Sequence, residues 1–357
     1  MRIIQIIDSL EAGGAERMAV NYANALSKKI EFSGLVASRK EGALLHQLDS
    51  KVSYLCLNKK SALDLTALFK LRKYVLENKV TVVHAHSTSF FLGVLLKMTV
   101  PKIQIIWHEH YGARANQTRV DNLLLLISSF FFSSVFVVNH QLEAWAKKTL
   151  FTKKVCYIPN FATSAENQKK DTLLLGNAGK RIVCLANLKA PKNHISLLTA
   201  FKEMKLYDLG WSLHFIGKDY NDNYSNRLKT YRNENNLNST VFIYDSQNDI
   251  PYILSQATIG VLCSTSEGFP VSLLEYGLAK LAVVSTNVGY CHKIIKDNYN
   301  GLLFDPLNEI QLQQQLQKMI LDKQSRSDFG LHLHELVVEK YSKERVIQLL
   351  LSEYSRI

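Results

Sequence analysis

The chain has 357 residues, too many for one ordinary hydrophobic core, so its length predicts two domains of common size. Hydrophobic residues make up 47% and charged residues 21%, as in soluble globular proteins, and no apolar run reaches the roughly 18 residues that would cross a bilayer. The net charge of +12 lies mostly in residues 1–160, with 21 Lys and Arg against 11 Asp and Glu, which indicates either simple solubility or an anionic partner: a membrane surface, a lipid-linked phosphate or nucleic acid.

Cysteine usage and the start of the chain predict a cytoplasmic protein. The five cysteines are scattered and none forms a C-x-x-C pair, so we expect reduced, mostly buried thiols. A strand-like segment, RIIQII, follows Met1 directly, so no signal peptide is expected.

The first predicted unit is a strand, a glycine loop and a helix, the usual start of a nucleotide-binding α/β domain. Gly13 and Gly14 lie in the loop, where the absence of a side chain lets a backbone approach a phosphate closely. The spacing is not G-x-G-x-x-G, which argues against a dinucleotide site.

Further strands are predicted at residues 32–38, 52–57, 80–86 and 102–110, with helical patterns between them. This alternation predicts a parallel sheet, and open parallel sheets bind ligands at the carboxyl ends of their strands.

Two of these strands end in histidine pairs. His84 and His86 face one side of their strand, as His108 and His110 do on the next, because strand side chains alternate. Three interpretations are open: substrate binding, hydrogen-bonded structural histidines, and a zinc site, although the last lacks the usual Cys or i,i+4 helical spacing.

The most apolar stretch is residues 122–139. A buried helix followed by a strand is the favoured prediction, with a membrane-seated segment as the alternative. If part of the helix is exposed, its aromatic neighbours beside Lys and Arg would suit an interfacial contact.

A second α/β series begins with a strand over residues 181–186. It leads into a loop with Lys189 and Lys192, and then into a helix from about His194, with Asn193 as its cap. A lysine in a strand-to-helix loop can pair with a diphosphate.

The segment 264–280 carries the most specific pattern. A strand stops at Ser264 and Pro270 opens an amphipathic helix. Glu267 lies beside the unpaired amides of the helix start, and Glu275 falls about one and a half turns into the helix. Carboxylates can accept hydrogen bonds from hydroxyls, and the amides between them suit an anion such as a pyrophosphate. This combination predicts a sugar-nucleotide site. The alternative is a solvated loop glutamate and a charge on the helix surface.

The pattern E-G-F-P-x-x-x-x-E resembles the E-x7-E motif of retaining glycosyltransferases of family four, which have the GT-B architecture. The resemblance implies that Glu275 binds the donor ribose and that Glu267 lies against the donor sugar. Backbone amides of the following loop also meet the sugar hydroxyls in this family; here that loop contains Gly268, Phe269, Pro270 and Val271.

Other segments of the first half are similar to the same family. The loop with Gly13 and Gly14 resembles one that faces the donor phosphates. The H-A-H-S and W-H-E-H-Y-G segments resemble strand ends where a histidine meets the donor sugar or the acceptor, and we favour His110 over His108.

In the second half, the family usually carries an Arg and then a Lys on the donor phosphates. Lys192 matches the lysine, whereas Asn187 stands in the position of the arginine, so Lys189 is the candidate substitute. Gly217 ends the next strand, where the family has a glycine.

We therefore predict an α/β protein of GT-B fold, with two Rossmann-like domains facing an interdomain cleft. Residues 1–162 are expected to form the acceptor-side domain and residues 163–335 the donor-binding domain, separated by a polar linker. Residues 336–357 are expected to form a C-terminal helix that crosses back to the first domain.

The predicted function is retaining transfer of a hexosyl group from a nucleotide sugar, with a UDP-sugar as the favoured donor. The acceptor is a hydroxyl of a glycan or lipid-diphosphate-linked glycan in surface polysaccharide assembly. His110, Glu267 and Lys192 are the predicted catalytic residues. Lys192 would stabilise the leaving diphosphate, so no metal or other cofactor is expected. We expect a cytoplasmic protein with peripheral contact to an anionic membrane and no nucleic-acid partner. A sugar-nucleotide epimerase of similar fold and a basic nucleic-acid-binding protein remain alternatives.

Overall fold

The computed structural model forms two compact α/β units. Unit 1 consists of Met1–Phe161 and Lys343–Ile357, and unit 2 consists of Ala162–Ser342. The residues described are 1–118, 120–163 and 170–357. Most of the polar segment predicted as a linker lies outside them.

Unit 1 is built on a seven-stranded parallel sheet. Its strands are β1 (Arg2–Ser9), β2 (Phe32–Lys40), β3 (Ser53–Cys56), β4 (Val82–His86), β5 (Gln104–Glu109), β6 (Ser134–Val137) and β7 (Val155–Tyr157). They lie in the order β3-β2-β1-β4-β5-β6-β7, so the direction of chain progression reverses between β1 and β4. Helices cover a parallel sheet on its faces, which is why strands such as β1 and β6 are buried on both sides.

The helices between these strands are α1 (Gly14–Leu26), α2 (Leu65–Glu77), α3 (Phe90–Thr99), α4 (Leu123–Ser128) and α5 (His140–Thr149). Two of them begin at a side-chain cap. Asp64 accepts a hydrogen bond from the Ala67 N–H at the start of α2, and Asn139 accepts one from the Leu142 N–H at the start of α5. Such caps satisfy amides that the first turn leaves unpaired.

Unit 2 is built on a six-stranded parallel sheet. Its strands are β8 (Arg181–Leu185), β9 (Ser212–Ile216), β10 (Val241–Tyr244), β11 (Ile259–Leu262), β12 (Ala282–Thr286) and β13 (Leu302–Phe304). The order β10-β9-β8-β11-β12-β13 places the reversal between β8 and β11, where open α/β sheets bind ligands. Its helices are α6 (His194–Glu203), α7 (Asn223–Glu234), α8 (Ile250–Ser255), α9 (Val271–Leu278), α10 (Cys291–Ile294), α11 (Glu309–Leu321) and α12 (Lys323–Tyr341).

The last helix, α13 (Lys343–Tyr354), belongs to unit 1. It buries Val346, Ile347, Leu350 and Tyr354, which lie on one face of the helix. These side chains join the core that lies between the sheet and α1. A C-terminal helix that packs on the first half of the chain is therefore present, as predicted. It begins at Lys343 rather than at residue 336, because residues 336–341 continue α12 of unit 2.

Two local predictions were wrong. The helix in residues 122–139 is not wholly buried, because α4 packs through Leu125 while Leu124 and Ile127 are exposed; the strand that follows is buried as expected. Asn193 precedes α6 but its side chain makes no capping hydrogen bond, since the residue adopts a left-handed backbone with φ of 53°. None of the described helices combines the length and apolar content of a membrane span.

Candidate active site

The E-G-F-P loop joins β11 to α9 and is fixed by packing from two sides. Phe269 is 6% exposed; its ring stacks on Tyr290, with 5.1 Å between centroids, and meets Tyr341 edge-on at 5.5 Å. Gly289 has a φ of 52°, and a Cβ there would lie 1.8 Å from the backbone oxygen of Glu267. Only glycine fits this position, so the turn after β12 packs directly on the loop.

Lys192 and Glu267 form an ion pair, with 2.6 Å between Nζ and Oε1. The Ser264 hydroxyl donates to the same carboxylate oxygen at 2.7 Å. The side chains are 25% and 9% exposed, so the pair is more strongly coupled than a surface pair. Among the residues that the structure describes, no donor meets the second oxygen of Glu267. The site thus offers a positive charge and a free carboxylate oxygen side by side.

Glu275 is the fifth residue of α9 and is half-buried. The next residue, Tyr276, is fully buried, and its hydroxyl accepts from the Leu185 N–H at 2.8 Å and donates to the Val261 carbonyl at 3.1 Å. β8 and β11 share only two register pairs, and the tyrosine hydroxyl bridges them beyond that point. Tyr276 therefore separates the two central strands at their carboxyl ends and fixes α9 above the opening.

The remaining candidates of unit 2 lie around the ends of β8 and β9. The Asn187 side chain accepts from the Lys218 N–H at 3.0 Å. The Lys189 ammonium lies 5.3 Å from the ring centroid of Tyr220. Gly217 has a φ of 151°, and a Cβ there would lie 2.3 Å from a backbone oxygen after β8. Lys189 thus packs on an aromatic ring, and Lys192 is the lysine of this loop that contacts the E-x7-E motif.

The glycine loop of unit 1 ends at the start of α1. A Cβ on Gly13 would stand 2.1 Å from a carboxylate oxygen of Glu16, whereas no atom lies within 4 Å of the corresponding position on Gly14. The missing side chain at Gly13 therefore makes room for the Glu16 carboxylate, which folds back towards the helix start, where negative charge is favourable.

The four histidines of β4 and β5 form a stack of rings, which we call the histidine stack. Ring centroids lie 4.5 Å apart for His84 and His86 and 4.2 Å apart for His108 and His110. Two hydrogen-bonded chains run through it. In the first, Tyr354 Oη lies 2.6 Å from His84 Nδ1, and His84 Nε2 lies 3.1 Å from His108 Nδ1. In the second, His86 Nδ1 lies 2.9 Å from His110 Nε2. The stack thus joins α13 to the strand ends.

The histidine stack is held in the neutral form. Burial lowers the pKa of His84, His86 and His108 well below 6.5, and lowers the pKa of His110 to about 3. The first three are fully buried, whereas His110 is half-buried. His110 is therefore the least enclosed member of the stack, although its Nδ1 is buried and its Nε2 contacts His86.

The zinc interpretation does not fit the hydrogen bonds of the histidine stack. Nitrogen atoms of His84, His86 and His108 lie within 4.8 Å of one another. A zinc ion must lie in the plane of each imidazole, roughly 2.0 Å from its nitrogen. Such coordination needs a free lone pair, but both ring nitrogens of His84 and both of His86 already face hydrogen-bond partners, 2.6 to 3.1 Å away.

Comparison with known proteins decides the family. Residues 12–164 match the family described as Glycosyltransferase Family 4, and residues 165–331 match the family described as Glycosyl transferases group 1. The chain belongs to family four of the glycosyltransferases. It is therefore a transferase, rather than the epimerase that the sequence also allowed.

Two bacterial glycosyltransferases are similar over most of their length. One, from Campylobacter jejuni, is an α-1,4-N-acetyl-D-galactosaminyltransferase named for a GalNAc-containing diphosphoundecaprenol glycan; it is 23% identical over 92% of this chain and 91% of its own. The other, from Escherichia coli, is a UDP-Gal:α-D-GlcNAc-diphosphoundecaprenol α-1,3-galactosyltransferase, 21% identical over 83% of this chain and 82% of its own.

A solved structure confirms the predicted fold. The Anabaena protein HepE, solved with UDP and glucose, superposes with a TM-score of 0.83 at 15% identity, covering 100% of both chains. This likeness confirms the GT-B fold of two Rossmann-like units.

Sequence reasoning missed several residues that shape this glycosyltransferase site. Tyr276, Ser264 and the pair of His194 and Tyr224 were not singled out as site residues; His194 follows Lys192 by two residues, and its Nδ1 lies 2.9 Å from Tyr224 Oη. Ser264 and Tyr276 could have been suspected, because each adjoins a motif residue or begins the motif loop. The contact of His194 with Tyr224, 30 residues away, leaves no local signal.

Proposed function

We propose that the protein transfers a hexosyl group, with retention of configuration, from a UDP-sugar to a hydroxyl of a lipid-diphosphate-linked glycan in surface polysaccharide assembly. The main observation that supports a nucleotide-sugar donor is the contact between Lys192 and Glu267 at the start of the E-x7-E helix. The two relatives with diphosphoundecaprenol in their names support the acceptor class.

In this proposal each residue of unit 2 has one role. The Lys192 ammonium stabilises the negative charge that develops on the leaving diphosphate, together with the amides at the start of α9. Glu267 accepts a hydroxyl of the donor sugar through its second oxygen, and Glu275 accepts the ribose hydroxyls. Because Tyr276 anchors the helix between β8 and β11, Glu275 is held at a fixed height above the sheet.

We also propose that the reaction needs no divalent metal. The cationic side chain of Lys192 lies in a largely desolvated site, where one positive charge acts more strongly than in water. For unit 1 we propose His110 as the substrate-contacting histidine, because its neighbours in the histidine stack are fully buried.

Thermal stability in the presence of candidate donors tests the donor assignment. A UDP-sugar present at about 100 times its Kd should add about 2.7 kcal/mol to the stability of the form that binds it. We expect a rise in melting temperature with one UDP-sugar, no rise with GDP- or TDP-sugars, and no change when EDTA is added. Absence of a shift with every nucleotide sugar would overturn the proposal, and loss of the shift in EDTA would overturn metal independence.

We further propose that unit 1 touches an anionic membrane through an exposed apolar patch. The patch consists of Val120, Leu123, Leu124, Ile127, Phe130, Phe131 and Phe151, each at least 38% exposed. Phe130 and Phe151 stack at 3.8 Å between centroids, although 65% and 49% exposed. The exposed Lys148 and Lys153 flank Phe151 in sequence, which suits an interface with acidic lipid headgroups.

Replacing both Phe130 and Phe151 with serine should weaken binding to phosphatidylglycerol vesicles by about tenfold or more, because buried aromatic side chains each contribute on the order of 2 kcal/mol. Vesicle sedimentation measures the bound fraction. Leu331→Ser, at an exposed position of unit 2, is the matched control and should bind as the parent does. Equal sedimentation of the double variant and the parent would contradict the proposed contact.

A further inference from the structure

A lysine with a largely buried stem lies at the carboxyl edge of the unit 1 sheet. Lys59 follows β3, and its N–H donates to the Ser38 carbonyl of β2 at 2.8 Å, which continues the pairing of the two strands. The residue is only 9% exposed. The buried part is the aliphatic stem, because the ammonium is not among the fully buried, unpaired side-chain atoms and so reaches solvent.

Its ammonium has no hydrogen-bond acceptor and no ion-pair partner in the part of the chain that the structure describes. The carboxylates that attract it are those of Asp8 and Asp64. Asp64 is occupied as the cap of α2, where it accepts from the Ala67 and Lys60 N–H groups at 3.0 Å each. This carboxylate therefore does not neutralise Lys59 directly.

Asp8 is occupied as well. Its Oδ1 accepts from the Ser38 hydroxyl at 2.6 Å, and its Oδ2 accepts from the Thr88 hydroxyl at 2.6 Å. Arg39 approaches the same Oδ2 at 3.8 Å. One carboxylate that is already hydrogen-bonded thus faces two cations, Arg39 and Lys59.

The two cations repel each other. Burial lowers the pKa of Lys59, and the positive charge of Arg39 lowers it further, while Asp8 and Asp64 oppose the shift. An anion placed between the two side chains would offset this repulsion. The Arg39 side chain is 52% exposed, so such an anion could enter from solvent.

We propose that Lys59 and Arg39 form a phosphate-binding site that holds the diphosphate of the acceptor. A guanidinium donates in a fork and an ammonium acts as a point charge, and both suit phosphate oxygens. The site lies at the carboxyl ends of β2 and β3, on the edge where parallel sheets bind ligands. The identity of the ligand rests on the proposed function, whereas the presence of a phosphate site does not.

Calorimetric titration with farnesyl diphosphate tests the site. The titrations use the full chain carrying Lys192→Met, so that the diphosphate cannot bind beside Glu267. We expect binding in this protein, and adding Lys59→Met should weaken it by about tenfold or more, because the charged partner of the phosphate is lost. Adding Lys60→Met instead, at the exposed neighbouring lysine, should change the Kd by less than about twofold.

Methionine keeps an unbranched stem in the buried position, so the Lys59→Met protein is expected to fold. Arg39→Gln is a second variant, at a half-exposed position, and should weaken diphosphate binding without affecting the core. Equal affinities of the Lys59→Met and Lys60→Met proteins, or no binding in the starting protein, would overturn the inference.

Inorganic pyrophosphate distinguishes the two sources of the ligand. Tighter binding of farnesyl diphosphate supports a lipid-linked acceptor, whereas equal binding supports the phosphate site but assigns it to a soluble phosphate. The inference and the proposed function can fail separately. If diphosphate binding depends on Lys59 but no nucleotide sugar stabilises the protein, the phosphate site is supported and the donor assignment is refuted.

Discussion

Replacing Lys192 with methionine is expected to lower the rate of sugar transfer by about 100- to 1,000-fold, because the charge that stabilises the leaving diphosphate is lost. Lys192 is the cation that contacts the E-x7-E motif, with 2.6 Å between its Nζ and Glu267 Oε1. Release of nucleoside diphosphate, measured at saturating donor and acceptor, gives the rate.

Lys202→Met is the matched control for this substitution. Lys202 lies on α6 of the same unit, is 37% exposed and pairs with Glu203 at the surface, so its loss should change the rate by less than about twofold. Glu267→Gln should also lower the rate, since an amide cannot accept a sugar hydroxyl as strongly as a carboxylate. A parental rate in a normally folded Lys192→Met protein would refute the catalytic role.

Acidification is expected to destabilise unit 1 by several kcal/mol between about pH 7.5 and about pH 5. The histidine stack has pKa values lowered by burial, so below 6.5 the unfolded chain binds protons that the folded stack does not. The free energy of unfolding therefore falls with pH, by about 1.4 kcal/mol per neutral imidazole for each pH unit below that value. For His110 the loss of stability continues down to about pH 3, because burial lowers its pKa to about 3.

Urea unfolding followed by tryptophan fluorescence at several pH values measures this loss; Trp107 and Trp145 report on unit 1. His84→Gln removes one titrating group and should flatten the dependence on pH. His140→Gln, at an exposed histidine paired with Glu143, should leave it unchanged. A His84→Gln protein with the parental pH dependence would show that the stack is not the cause.

The sequence predicted the fold better than the details of the site. Alternating strands and helices predicted two parallel sheets, and the start of α6 at His194 agrees with the pattern. The exposure of α4 was missed because apolar composition does not tell which face of a short helix finds a partner. The role of Tyr276 was missed for a related reason: its position among apolar residues of α9 predicts burial, but not the two strands that its hydroxyl joins.

The sequence by itself determined the two α/β units and the motif that identifies the family, because both depend on short-range periodicity and spacing. Only the tertiary structure decided which distant groups meet. Lys192 and Glu267 are 75 residues apart, and Tyr354 of the last helix reaches His84 across 270 residues. It also decided that His110 is the least enclosed histidine of the stack and that the Lys59 ammonium has no ion-pair partner among the described residues. Such outcomes depend on how whole elements pack, and local sequence does not encode that information.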